Sequence, residues 1–439
     1  MPRPEVRRSQ SERLTSALRG ALALLVVASC TGLSQAPARA ATYTLIPMDL
    51  SQTNHLKAYG LAYLMLTKGI QVEWLLNYKG GSFLASRNDE MELEARVRGV
   101  LFQDIDAAQV AEIKAEIERE NMEVVLLEKA PRLAVYTPPN KHPWDDAVTL
   151  VLDYAQIPFD KVYDREVLGG KLADFDWLHL HHEDFTGQYG KFYAAYHFAA
   201  WYQEDVAVNE ALARELGYAK VSDEKKAVAR AIREYVRNGG FLFAMCLATD
   251  TIDLALAAEG IDIAPAEFDG DGTTPGCQSK LQYDKTFAFQ DFILEMNPLV
   301  YEFSNIDTSN YAKLRGPEAD YFTLFAFAAK HDPVPAMLTQ CHVNVINGFL
   351  GQTTGFRQEL VKGSVVILAK VDGTDEVKYL HGNLGRGTFT FYGGHDPEDY
   401  QHAVGDPPTR LELHVNSPGY RLILNNILFP AARKKEQKT

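Results

Sequence analysis

Cys246 is the residue whose setting points most directly to chemistry. It stands in Phe241-Leu-Phe-Ala-Met-Cys-Leu-Ala-Thr-Asp250, an apolar run that reads as a buried strand passing without a spacer into a helix. A nucleophile held on so sharp a strand-to-helix turn needs small residues two positions away on either side, and Ala244 and Ala248 supply them. The N–H groups that open the helix would then lower the thiol pKa, and the Leu247 amide would serve as an oxyanion donor. Cysteine is also among the most buried residue types, so a core role at a strand end is the competing reading. His395 comes second, in Tyr392-Gly-Gly-His-Asp-Pro-Glu-Asp-Tyr400, again where a strand gives way to a turn. If the two strands are neighbours in a parallel sheet, both exits open on the edge where α/β proteins bind ligands. Cys246 as nucleophile, His395 as base and Asp396 or Glu398 behind the imidazole would make an acyl-transfer apparatus. The same Gly-Gly-His-Asp-Pro also reads as a plain strand exit.

A third cluster is Trp177-Leu-His-Leu-His-His-Glu-Asp184. Along a strand His179 and His181 face one way and His182 the other, so the run is not a ready chelate. Its spacing matches no metal motif, so a metal site around His181 and His395 is the lesser alternative and the expectation is a hydrogen-bonded polar cluster, with no metal ligand and no cofactor assigned. Past the strand end, His181, His182, Glu183 and Asp184 can reach the same edge as His142, Asp145 and Asp146. They are candidates for substrate contacts, and the loop from Glu183 to Gly187 for a second oxyanion donor.

The elements that must position these residues follow from periodicity. Residues 41–130 read as strand (from Thr42), helix (His55 to Lys68), strand (Ile70 to Leu76), a polar stretch, helix (Ala107 to Glu120) and strand (Met122 to Leu127). That alternation predicts a small parallel α/β region. Lys129-Ala-Pro131 breaks the pattern, and residues 131–432 form a second α/β series. Its strands are expected at Arg132 to Tyr136, Lys161 to Tyr163, Asp176 to His181, Phe241 to Met245 and Thr388 to Tyr392. Its helices are expected at Trp144 to Ala155, Ser222 to Arg237 and Pro418 to Leu428. A hairpin is expected around Asp372-Gly373. The aromatic helical region Gln188 to Leu216 reads as packing, and residues 287–356 show no period. The fold class expected is α/β, an open, mostly parallel sheet flanked by helices, with the smaller N-terminal region beside it. Residues 433–439 are a basic tail.

Composition bounds the partners. Residues 1–40 read as a signal peptide, with a basic start and the apolar run Gly20 to Ser29. Two processing sites compete: cleavage after Ala40, or lipidation of Cys30. The protein is therefore expected to be exported, either periplasmic or anchored to the envelope. The formal charge is −14, and residues 1–40 carry six arginines and two glutamates, so the remainder carries −18. Such a chain repels nucleic acid and anionic headgroups, leaving membrane contact only through a lipid at Cys30. Three cysteines remain after Ala40, namely Cys246, Cys277 and Cys341, so in an oxidising compartment at least one is unpaired.

Taken in order, Arg132 to Asp184 (ending ADFDWLHLHHED), FAMCLATDT, the late hairpin and FYGGHDPEDY resemble the class I glutamine amidotransferase-like fold. With SPGYRLILNNILFPAA they look more specifically like its ThuA-like (trehalose-utilisation) branch, where the position of Cys246 is usually histidine. Two positions differ from the amidotransferase pattern: Pro397 stands where the triad glutamate follows the histidine, and Ala244 and Ala248 replace the flanking glycines. The whole chain, with LIPMDLSQTNHLKAYG and WLLNYKGGSF, also resembles exported bacterial proteins labelled asparagine synthetase B. An ATP-dependent asparagine synthetase is nevertheless excluded, because Pro2 follows Met1 where that enzyme needs a cysteine and no Ser-Gly-Gly-x-Asp-Ser loop occurs. The function implied is hydrolysis of an extracytoplasmic amide, ester or glycoconjugate by a Cys–His site. The alternative is a catalytically inactive binding or scaffold protein of the envelope with the same fold.

Overall fold

The computed structural model describes residues 42–434, so the expected signal peptide, Cys30 and most of the basic tail lie outside the described residues. From Thr42 onward the chain forms one compact unit. No helix among the described residues is long and apolar enough to cross a membrane.

The N-terminal region is built from β1 (Tyr43–Ile46), β2 (Val72–Leu76), β3 (Ser82–Ser86), β4 (Gln103–Ile105) and β5 (Glu123–Leu127), in the order β4-β1-β3-β2-β5. Every pairing is antiparallel, which corrects the expected parallel arrangement. The cause lies in the polar stretch after β2. Asn77, Lys79, Gly80 and Gly81 all adopt positive φ, turning the chain back so that Leu75 pairs Ser82. The sheet's two faces separate by side-chain alternation. Leu45, Leu75 and Leu84 pack on the helix Ala107–Arg119, while Ile46, Trp74 and Phe83 join a larger core shared with the rest of the molecule.

The second sheet has ten strands: β6 (Leu133–Tyr136), β7 (Asp160–Val162), β8 (Trp177–Leu180), β9 (Phe241–Met245), β10 (Tyr321–Leu324), β11 (Val345–Asn347), β12 (Phe356–Arg357), β13 (Val366–Lys370), β14 (Glu376–Leu384) and β15 (Gly387–Tyr392). Its order is β11-β10-β13-β14-β15-β9-β8-β6-β7, with β12 on β14. From β15 to β7 all neighbours are parallel, whereas β10 to β14 pair antiparallel and β14 turns into β15 as a hairpin. The sheet is therefore mixed, not mostly parallel. The β13–β14 hairpin around Asp372-Gly373 and the helix Pro418–Leu428 stand where the sequence places them.

Both faces of the parallel half are covered, which explains its near-continuous apolar strands. On one face Phe241, Phe243, Met245 and Trp177 meet the helices His55–Thr67, Ala147–Ala155 and Pro418–Leu428. On the other, Leu242, Ala244, Leu178 and Phe391 meet Val221–Arg237 and Ala248–Ala257. Because β15, β9 and β8 are adjacent and parallel, the exits after Tyr392, Met245 and Leu180 open side by side.

Candidate functional site

Cys246 is the first residue after β9 and holds a φ of +49°, one of few non-glycine residues in the left-handed region. That conformation costs on the order of 1–3 kcal/mol and persists only where the surroundings enforce it. Here they do: the Ala248 N–H donates to the His181 carbonyl (3.2 Å) and the helix Ala248–Ala257 starts at once. Ala244 and Ala248 are fully buried. The Gln352 N–H donates to Cys246 Sγ at 3.3 Å. The thiol is 3% exposed. Burial pushes it up to about 11, against the pull of the Gln352, Leu247 and Thr353 amides. This corrects the expected lowering, since desolvation outweighs the helix N-terminus. None of Cys246, Cys277 and Cys341 is in a disulfide.

Three histidines surround the sulfur. One ligand atom from each of His181, His182, His395 and Cys246 lies within 4.8 Å of the other three. The expected convergence of Cys246 and His395 on one edge is thus present in the geometry. The alternation argument for His181 and His182 does not apply, because β8 ends at Leu180. Their rings stack at 3.9 Å and 14°, and His395 lies 4.9 Å from His181 and 4.6 Å from His182. Burial, together with the facing imidazoles, holds His182 and His395 well below the ordinary imidazole range, so both are neutral. His181 Nδ1 is 3.3 Å from Asp146 Oδ1, and His182 Nε2 donates to the Asp145 carbonyl at 2.8 Å. His181 Nε2 and His395 Nε2 are buried without a hydrogen-bond partner.

The remaining candidates take other roles. Glu398 pairs with His414 Nδ1 (2.8 Å), and Asp396 Oδ1 accepts the Glu398 N–H (2.9 Å), so neither carboxylate holds His395. The His402 ring lies there instead, stacked on His395 at 4.5 Å and held by Asp145 and Asp399 at 3.0 Å each. Glu183 accepts the His181 N–H (3.0 Å), and burial pushes its carboxyl up to about 8. Asp184 accepts the N–H groups of Thr186, Gln188 and Gly190 at 2.7, 2.7 and 3.1 Å. Of these, only Thr186 lies in the loop expected to offer a second oxyanion donor, and Asp184 folds that loop onto the residues after it. His142 is drawn to Asp205 Oδ1 (2.9 Å), with Trp144 between it and His182.

Sequence reasoning missed the segment Phe349 to Gly355. Its Gly351 packs directly on the second strand exit, since a Cβ there would lie 2.8 Å from Gly394 Cα. The His395 N–H donates to Leu350 and the Gly394 N–H to Thr353, at 2.9 and 2.8 Å. Thr353 Oγ1 donates to the buried Asp250 (2.9 Å), locking this loop to the helix after Cys246. The double role of Asp146 was equally hidden. Its Oδ1 accepts from Val148 and Thr149 as N-cap of Ala147–Ala155 while its carboxylate faces His179 and His181, each at 3.3 Å. Asp146→Asn keeps a good cap and weakens the histidine contacts, so it should cost about 1–2 kcal/mol. Asp146→Ala removes the cap too, at about 1 kcal/mol more. Urea unfolding of the two variants measures the difference, and equal midpoints would show that capping contributes nothing here.

The space around the site is small. A cavity of about 40 Å³ touches His182, Glu183, Trp144, Tyr189 and Lys225. A far larger groove of about 880 Å³ lies at the opposite end of β9 and β15, beside Gly240, Phe241, Arg386 and Phe429. It holds none of the convergent histidines.

No family model matches this chain, and no curated protein does. Among solved structures it is similar to two cytoplasmic proteins of Salmonella typhimurium, each 12% identical and covering 69% of this chain. Their own chains are covered to 100% and 99%, with TM-scores of 0.35 and 0.36. It is also similar to an exo-beta-1,4-mannosidase from an Opitutaceae bacterium, 12% identical over 64% of this chain and 33% of that one, with a TM-score of 0.26. Likeness at these scores carries no argument about activity.

Proposed function

We propose that this protein is an exported, hydrolase-like enzyme of the class I glutamine amidotransferase-like fold, ThuA-like branch, acting on an amide, ester or glycoconjugate outside the cytoplasm. The observation that carries this reading is the strained Cys246 elbow, with φ +49° and a backbone N–H on its sulfur, opening beside His395. Strain of this kind at a strand exit has a purpose in presenting a nucleophile. Both partners start neutral. The sulfur attacks the substrate's carbonyl carbon while its proton passes to the free His395 nitrogen, and the Leu247 amide stabilises the oxyanion. The imidazolium then returns the proton to the departing amine or alcohol, and water releases the acid from the thioester.

Mass spectrometry of the protein after incubation with activated esters and simple carboxamides tests this directly. An acyl adduct should appear on Cys246, with turnover falling by at least about 10³-fold in Cys246→Ala. Undiminished turnover in that variant would end the covalent reading. The buried thiol and the small cavity favour a second reading, a catalytically silent envelope binding protein, which stands if no substrate leaves an adduct.

A further inference from the structure

We infer that His181, His182, His395 and Cys246 form a binding site for a single divalent ion of the zinc class. The four ligand atoms already lie within 4.8 Å of one another. Around a tetrahedral zinc, bond lengths of about 2.0–2.3 Å put ligand atoms about 3.3–3.8 Å apart. Closure by an ångström or so, through side-chain rotation, completes the polyhedron. The second observation is independent of that distance. His181 and His395 are 0% and 7% exposed, and the Nε2 of each has no hydrogen-bond partner. Orphaned ring nitrogens are costly in a folded core, and a ligand accounts for them.

What lies behind the rings points the same way. A metal-bound imidazole gives its other N–H to a carboxylate or carbonyl, which fixes the tautomer. The Asp145 carbonyl accepts from His182 Nε2 (2.8 Å), leaving His182 Nδ1 as a lone pair, and Asp146 Oδ1 stands 3.3 Å from His181 Nδ1, an ion-pair contact behind a ring with no hydrogen bond of its own. Three imidazoles and a sulfur select zinc, cobalt or copper over magnesium and calcium, which prefer oxygen. A bare ion also fits enclosed surroundings better than a bulky ligand does. On binding, the ion replaces the thiol proton: one metal–sulfur bond forms and one proton leaves to solvent. The inference rests on the proposed Cys–His reading in one respect only, its effect on activity. With the ion in place, neither the sulfur nor His395 is free for acyl transfer, so zinc would regulate the site by occupying it.

Chelator-stripped full-length protein titrated with cobalt(II) tests the site. One equivalent per chain should bind, with a near-ultraviolet thiolate-to-cobalt band, and zinc should displace it. Cys246→Ser, nearly isosteric, should lose the band, and His395→Ala should weaken binding by at least about 10–100-fold. Circular dichroism confirms that both variants fold. Substoichiometric cobalt, or one equivalent with an unchanged spectrum in Cys246→Ser, would overturn the inference. A stoichiometric ion with no acyl adduct on the chelator-stripped protein sinks the covalent reading alone, and an adduct on that protein without cobalt binding sinks the ion site alone.

Discussion

Arg421→Met should unfold the protein at a urea concentration well below that of the wild type, with a loss of about 4 kcal/mol or more. Arg421 is 0% exposed on the helix Pro418–Leu428. Its Nη1 donates to the Met48 carbonyl (2.7 Å), its Nε to Tyr59 Oη (3.1 Å) and its Nη2 to the Gly80 carbonyl. One side chain thus ties the C-terminal helix to the start and the turn of the N-terminal sheet. Removing the guanidinium leaves the Gly80 carbonyl and Tyr59 Oη buried without a donor, at about 1–3 kcal/mol each, and leaves the Met48 carbonyl only His55 Nε2 (3.1 Å), while methionine fills most of the volume. Lysine does not rescue the site, because one ammonium cannot reach three acceptors set in a planar fork. Hydrogen exchange should locate the damage at Met48 and Gly80 first. A variant within about 1 kcal/mol of the wild type would show that the guanidinium is dispensable.

The parts of the fold that the sequence disclosed are those where one segment declares itself. Phe241 to Met245 is an unbroken apolar run, and the helix Pro418–Leu428 is introduced by the Ser417-Pro418 cap and proline. Asp372-Gly373 marks its hairpin turn. Cys246 was legible because it sits directly after such a strand, and His395 because only Gly393 and Gly394 separate it from the end of another. What stayed hidden depends on two segments meeting. Gly351 has meaning only against Gly394, and the Gln352 donor is a backbone N–H with no side-chain signature. The carboxylate expected behind His395 followed from nearness in sequence, yet the chain turns after Pro397 and brings His402 there instead. Gly419 lets that turn in, since a Cβ on it would stand 2.4 Å from Pro397 Cβ. The antiparallel N-terminal sheet was missed for a related reason. A hairpin and two short elements lay in a stretch whose polarity masked its period, and their pairing changed the direction of every neighbour.

The contacts of Arg421 make a second large effect, this time on the pH dependence of stability. The His55 and His342 rings stack at 4.2 Å beside the buried guanidinium. Burial, followed by the charge of Arg421, lowers His55 to about 4. Burial, followed by His55 and Arg421, lowers His342 to about 3. Both are neutral in the folded protein, whereas in the unfolded chain they take up a proton near pH 6.5. A depressed histidine stabilises the fold fully above that unfolded value. As pH falls from about 6.5 toward 4, the unfolded state gains protons that the folded state refuses, and stability drops. His55 alone accounts for roughly 3 kcal/mol across the window. Half-buried His342 adds a smaller share per pH unit, because solvent screens it. The other groups facing the pair do not titrate between pH 6.5 and 5. Asp49 is lowered further below its ordinary value, and Tyr59 and Cys341 are raised. Urea unfolding at pH 7 and pH 5 should therefore show a loss of about 2 kcal/mol or more attributable to the pair. The double variant His55→Asn with His342→Asn should be correspondingly flatter over the same interval. Parallel pH profiles for wild type and variant would mean that the two rings are already protonated in the fold, with Arg421 tolerating their charge.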